Sequence, residues 1–202
     1  MNLSTPFPAN KNVTENTYPL RLNISFELSP AVEEKVVSAN HKLVNLGYKE
    51  INFQPDGGAI PHVTLLMGDV ASRADFERLQ QILVAFAKRE KSIHYVVQRP
   101  YLKLPSKSFI FVDVEPAETF RLLRHRLFEQ VNQLLAFEYH GGPDNVSHIT
   151  LGYARPSLAS VGKISQEFES DLNGIASALA LSRVGNRGAC IEKFAVFRFA
   201  EG

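Results

Sequence analysis

One order of elements, strand, helix, Gly-Gly loop, histidine-bearing strand, helix, strand, is written twice within 202 residues. His148 follows His62 by 86 positions (148 − 62), and Gly141 follows Gly57 by 84 (141 − 57). So regular a spacing predicts an internal duplication, its halves related by a pseudo-twofold axis. Strands mixed with helices in this order predict an α+β protein with two lobes. Each lobe is expected to be an antiparallel sheet with helices on its outer face, and the two sheets face each other across a cleft.

The elements follow from the residues. Positions 20–28 alternate apolar and polar side chains, as a half-buried strand does. Ser29-Pro30 opens a helix, with the serine as N-cap and the proline at its first position. Val32, Val36, Ala39 and Leu43 form its stripe, and Gly47 stands where a C-terminal cap belongs. A short strand is expected at 49–53, and a loop at 54–58. A strand at 60–67 carries the first histidine, and a helix over 73–91 follows. Strands at 93–104 and 108–114 form a hairpin about Pro105-Ser106-Lys107. Pro116 starts a helix with Phe120, Leu123, Leu127, Val131 and Leu134 inward. After the loop His140–Asp144, a strand at 147–154 carries the second histidine. A helix bearing Leu158, Val161, Ile164, Phe168 and Leu172 comes next, then strands at 177–184 and 190–199. Residues 1–17 are polar and read as a disordered segment; 18–202 read as one bilobal domain.

Composition narrows the function classes. Apolar residues make up 45% and charged residues 21%, the balance of a soluble globular protein, and no segment is apolar for long enough to span a bilayer. A formal charge of +1 suits a small nucleotide or a short RNA end, not long double-stranded nucleic acid. The lone Cys190 excludes an internal disulfide and a thiolate zinc cluster. A cytoplasmic monomer without membrane association is the expectation.

Chemistry concentrates in Pro61-His62-Val63-Thr64-Leu65 and Ser147-His148-Ile149-Thr150-Leu151. Alternation in a strand puts His62 and Thr64 on one face, with Val63 and Leu65 on the other; His148 and Thr150 behave alike. Under pseudo-twofold symmetry the four polar side chains converge. That set suits phosphoryl transfer between oxygens: one imidazole removes a proton, the other supplies one, and the hydroxyls hold non-bridging oxygens. Each motif offers only one good metal ligand, so neither a metal nor another cofactor is expected.

These paired His-hydrophobic-Thr motifs, one in each half of a duplicated chain, resemble the two-histidine phosphoesterase superfamily. That group includes the 2′-5′ RNA ligase-like proteins and cyclic nucleotide phosphodiesterases. The resemblance implies metal-independent phosphodiesterase chemistry on 2′,3′-cyclic or 2′-5′ bonds. His62 and His148 would be the acid-base pair, with Thr64 and Thr150 as phosphate-holding hydroxyls. Two other readings stay open: a nucleotide-binding module without turnover, and an RNA ligase using the same site.

Tyr101 and Lys103 fall on one face of a predicted strand, and Phe109 and Phe111 on one face of the next. They are candidates to clamp a phosphate and stack a base, against the alternative that the phenylalanines are core. Tyr153 is a further candidate, although in a regular strand it points away from His148. His41, His94, His125 and His140 lack a partner motif. The Gly-Gly loops lack the lysine and hydroxyl residue of a phosphate-binding loop.

Overall fold

The computed structural model describes residues 17–53, 58–103, 108–137, 146–153, 155–168 and 172–200. Among these, the chain runs β1 (Leu20–Phe26), α1 (Pro30–Asn45), β2 (Val63–Val70), α2 (Arg73–Ala87), β3 (Ile93–Val97), β4 (Tyr101–Leu102) and β5 (Phe109–Glu115). It continues with α3 (Ala117–Val131), β6 (Ala136–Phe137), β7 (His148–Tyr153), α4 (Leu158–Ser165), β8 (Leu172–Ala176), β9 (Ala178–Val184) and β10 (Cys190–Arg198). One antiparallel sheet has the order β10-β9-β1-β2-β6. In the other, β5 pairs with β7 along one edge and with β4 and β3 along the opposite edge, and β8 lies beyond β3. The α+β, two-sheet architecture is the one that the duplication predicts.

The lobes, however, are not the sequence halves. The late strands β9 and β10 extend the sheet of β1 and β2. Helix α1, which follows β1, packs on β7 in the other sheet, while α2 and α3 cover β2. The first sheet therefore draws strands from both ends of the chain, whereas the second is built from strands between Ile93 and Ala176.

Several local expectations are corrected. Ser29 has extended backbone at the start of α1, but its side chain caps nothing; its N–H donates to the Tyr95 hydroxyl at 3.1 Å. Residues 49–53 form no strand, since the Asn40 side chain takes their backbone bonds: it donates to the Ile51 carbonyl at 2.9 Å and accepts from the Phe53 N–H at 2.9 Å. The first histidine-bearing strand starts at Val63, with Ile60 only bridging to Cys190. Gln98, Arg99 and Pro100 interrupt the predicted 93–104 strand. Helix α3 stops at Val131, short of Leu134, and α4 ends in a 3-10 turn at Gln166–Phe168, leaving Leu172 to open β8. The segment 1–16, the turn Pro105–Lys107, the loop 54–57 and the loop His140–Asp144 lie outside the described residues.

Gly47 has the predicted capping role. With φ +96° it lets Tyr48 N–H reach the Leu43 carbonyl (3.1 Å) while its own N–H reaches Val44 (2.9 Å), which closes α1 as a Schellman motif. Gly174 is needed for a different reason. It is the cross-strand partner of Tyr95, whose ring lies over it, and a Cβ there would stand 2.2 Å from the ring. Gly174→Ala is expected to destabilise the fold by about 1–3 kcal/mol, read as a lower urea midpoint with an unchanged m-value.

Candidate active site

His62 lies one residue before β2, and His148 is the first residue of β7. Their rings are fixed alike. The Nδ1–H of His62 donates to the Ile60 carbonyl at 2.8 Å, and that of His148 to the Val146 carbonyl at 2.8 Å. In the neutral imidazole this tautomer leaves the Nε2 lone pair free. Burial pushes His62 below the usual histidine range. Burial, opposed by the Val146 carbonyl, which favours the proton, and helped by the charges of His62, Lys103 and Arg124, takes His148 down to about 4. Both rings are therefore neutral at pH 7 in the free protein.

This has a consequence for stability. Unfolded His148 takes up a proton near pH 6.5, whereas the folded residue does so only near 4. Above pH 6.5 neither state binds that proton and the residue adds no pH dependence; as pH falls from 6.5 towards 4 only the unfolded chain binds it, which lowers stability by about 3 kcal/mol. Chemical denaturation at pH 7 and pH 4 should show that extra acid sensitivity in wild type relative to His148→Gln.

The two motif strands share an irregularity that alternation does not disclose. On β2, Thr64 pairs with Ser25 and Leu66 with Ile24, so Leu65 is an extra, bulged residue. On β7, Thr150 pairs with Phe111 and Gly152 with Ile110, so Leu151 is bulged. Leu65 and Leu151 are 86 positions apart (151 − 65), the spacing of the histidines. Since the face resets after each bulge, Tyr153, paired with Phe109, returns to the face of His148 and Thr150. This corrects the orientation that a regular strand gives it.

Around these equivalent motifs the cleft walls differ. Beside His62 and Thr64 the β1 face presents Asn23 and Ser25; the positions 86 later, beside His148 and Thr150, are Phe109 and Phe111. Asn23, fully buried, donates its Nδ2–H to Thr64 Oγ1 at 2.8 Å, which leaves the Thr64 hydroxyl proton free to donate elsewhere. A cavity of about 300 Å³ opens next to His62, lined by Ser25, Glu27, Ser182, Lys193 and Arg198. Lys193 there pairs with Glu27 at 2.5 Å.

The opposite wall is aromatic. Phe111, 8% exposed, stacks on the His148 ring (centroids 3.9 Å, 16°), and Phe109 packs on Tyr153 at 4.7 Å. Lys103 lies 5.7 Å from the Phe111 centroid, and the Arg187 guanidinium 4.5 Å from that of Tyr153. Tyr101 donates to Asp113 Oδ1 at 2.9 Å; burial and then that carboxylate drive its phenol well above the usual range. Asp113 is the cross-strand partner of His148. The structure thus gathers Tyr101, Lys103, Phe109, Phe111 and Tyr153 on the His148 side.

Asn23, Ser25, Asp113 and Arg124 join the site without a motif of their own in the sequence. Asn23 and Ser25 carry a signal, since they are the polar half of the β1 alternation; Ser25 lines the cavity beside His62, and Asn23 is buried against Thr64. Arg124 sits within the apolar stripe of α3, one residue after Leu123, and is 1% exposed. Among the described residues no three His, Cys, Asp or Glu side chains converge as a metal set. Cys190 is buried and its thiol is pushed up to about 12, so it is no nucleophile.

Two antiparallel sheets facing each other in an α+β fold, each bearing a His-x-Thr motif, define a two-histidine phosphoesterase fold. The sequence profile of the 2′-5′ RNA ligase superfamily matches residues 43–186, and the chain belongs to that family. Similar solved structures include a phosphoesterase (14% identity, 91% of this chain and 100% of that one, TM-score 0.59). E. coli LigT in apo form is similar at 13% identity over 93% of this chain and 100% of LigT, with a TM-score of 0.60. E. coli LigT complexed with 3′-AMP is similar at 15% over 93% and 100%, with a TM-score of 0.59. No curated protein matches the chain in sequence. No described helix is long and apolar enough to cross a membrane.

Proposed function

We propose that this protein is a metal-independent phosphodiesterase acting on 2′,3′-cyclic or 2′-5′ phosphodiester bonds of nucleotides or short RNA ends. The observation that carries the reading is the matched pair of imidazoles, each held through Nδ1 by the carbonyl two residues before it, with a threonine two residues on. A neutral Nε2 accepts the proton of the attacking water or hydroxyl. The second ring, protonated once an anionic phosphate sits beside it, gives its proton to the leaving oxygen. Thr64 and Thr150 donate to the non-bridging oxygens.

The unequal walls orient the substrate. A nucleobase stacks against the aromatic side formed by Phe109, Phe111 and Tyr153, where Tyr101 and Lys103 also lie, and the polar cavity beside His62 takes the remaining sugar and phosphate. That a protein of this fold has been captured with 3′-AMP supports a small nucleotide as ligand. Ligation stays within the reading, because the same pair of rings serves either direction and the family is named for it. Residues 18–202 act as one unit, a monomer of the cytoplasm.

A panel of 2′,3′-cyclic nucleotides, 2′-5′ dinucleotides and paired RNA ends, incubated with excess chelator, tests the proposal. Chelator-resistant product from any of them supports it and names the bond. Nucleotide binding with no product from the whole panel overturns the enzyme reading in favour of a binding module.

A further inference from the structure

The duplication also places two buried polar side chains at matching points of α1 and α3. Asn40 and Arg124 are 84 positions apart (124 − 40), as are the buried pairs Val36 and Phe120, Ala39 and Leu123, and Leu43 and Leu127. Each reaches a backbone carbonyl at the bulge of the motif strand belonging to the other half. Asn40 Nδ2–H donates to the Leu151 carbonyl at 2.8 Å, and an Arg124 Nη2–H to the Thr64 carbonyl at 3.3 Å. A bulge removes a residue from the ladder, so its backbone needs partners from outside the sheet.

Arg124 does more than Asn40. The same Nη2 donates to the Ser147 hydroxyl at 2.9 Å, and Ser147, 2% exposed, directly precedes His148. One buried guanidinium therefore spans from the first motif to the second. A lysine ammonium on a flexible stem does not reproduce a planar fork with fixed donor directions.

We propose that Arg124 is a positioning residue: by joining the Thr64 carbonyl to the Ser147 hydroxyl it fixes the separation and aim of His62 and His148 across the cleft. This rests on the two-histidine reading above. Arg124 stands behind the strands and acts through them. Its charge adds to that of Lys103, and to that of His62 when that ring is protonated, in disfavouring a proton on His148, while Asp113 and Tyr101 lie beside that ring from β5 and β4.

The test compares Arg124→Gln, Arg124→Lys and Ser147→Ala with wild type in turnover, thermal midpoint and the histidine Cε1–Hε1 resonances across pH. In Arg124→Gln, kcat should fall about 100-fold with KM within about threefold, since misplacement of roughly 1 Å costs that much. Arg124→Lys should recover little, and Ser147→Ala, which deletes one arm and keeps the charge, should lose about tenfold. The His62 and His148 resonances should shift, while those of exposed His41 and His94 stay put.

A folded Arg124→Gln with near wild-type kcat, or unmoved His62 and His148 resonances in Ser147→Ala, overturns the proposal. Should Arg124→Gln fail to fold, Ser147→Ala and Arg124→Lys decide it. Should wild type turn over no phosphodiester, the two-histidine reading fails, and the resonances still decide whether Arg124 positions the rings.

Discussion

His62→Ala and His148→Ala are each expected to lower kcat/KM by about 10²- to 10⁴-fold, the range that one general acid or base contributes. Neither ring is central to the core: both are partly exposed, and each makes its one fixed hydrogen bond through Nδ1 to a local carbonyl. The variants should therefore fold, and circular dichroism with a thermal midpoint near wild type checks that the loss is chemical. The double variant should be little worse than either single one, because removing one proton carrier already leaves the other without its complement. Additive losses on a logarithmic scale would point to two independent binding contacts.

Thr64→Val and Thr150→Val are expected to lower kcat by about 10²-fold each, the size seen when one donor to a developing negative charge is removed. Valine keeps the branched shape, so the strand and bulge should persist. The two threonines should differ in how they respond to a neighbour. Thr64 Oγ1 already accepts from Asn23, so its proton is directed outward; Asn23→Ala should weaken Thr64 by about tenfold in kcat and leave Thr150 unaffected. A double-mutant cycle of Asn23→Ala with Thr64→Val checks this, with strong non-additivity expected, whereas the cycle with Thr150→Val should be additive.

Much of this site could be read from the chain. The two His-x-Thr strands, the helices beginning at Pro30 and near Pro116, and the two-sheet α+β architecture all follow from periodicity and from the repeat. What the sequence hid is hydrogen-bond register. Alternation assumes two residues per repeat, and the bulges at Leu65 and Leu151 break that count, so strict alternation puts Tyr153 on the wrong face. The short β6 has only two residues and pairs at Gly68 and Asp69, too brief to leave a pattern. The 49–53 segment has apolar Ile51 and Phe53 at strand spacing, but its backbone is tied to Asn40, a tertiary contact with no local trace. Exchange of helices between the sheets is likewise invisible, because a helix stripe says that a face is buried and not against what.

The pH dependence of wild-type turnover is the decisive measurement of acid-base catalysis by His62 and His148. With both rings below their usual range in the free protein, His148 at about 4, the singly protonated pair that reacts is most populated below pH 6.5. The predicted kcat/KM profile is therefore a bell centred on the acid side of 6.5. The kcat profile should be a bell displaced upward, since a bound phosphate favours the proton on its neighbouring ring. In His62→Ala and His148→Ala the bell should be lost from whatever turnover remains. A profile flat between pH 4 and 8 in wild type, or a bell that survives in both variants, would contradict acid-base catalysis by His62 and His148.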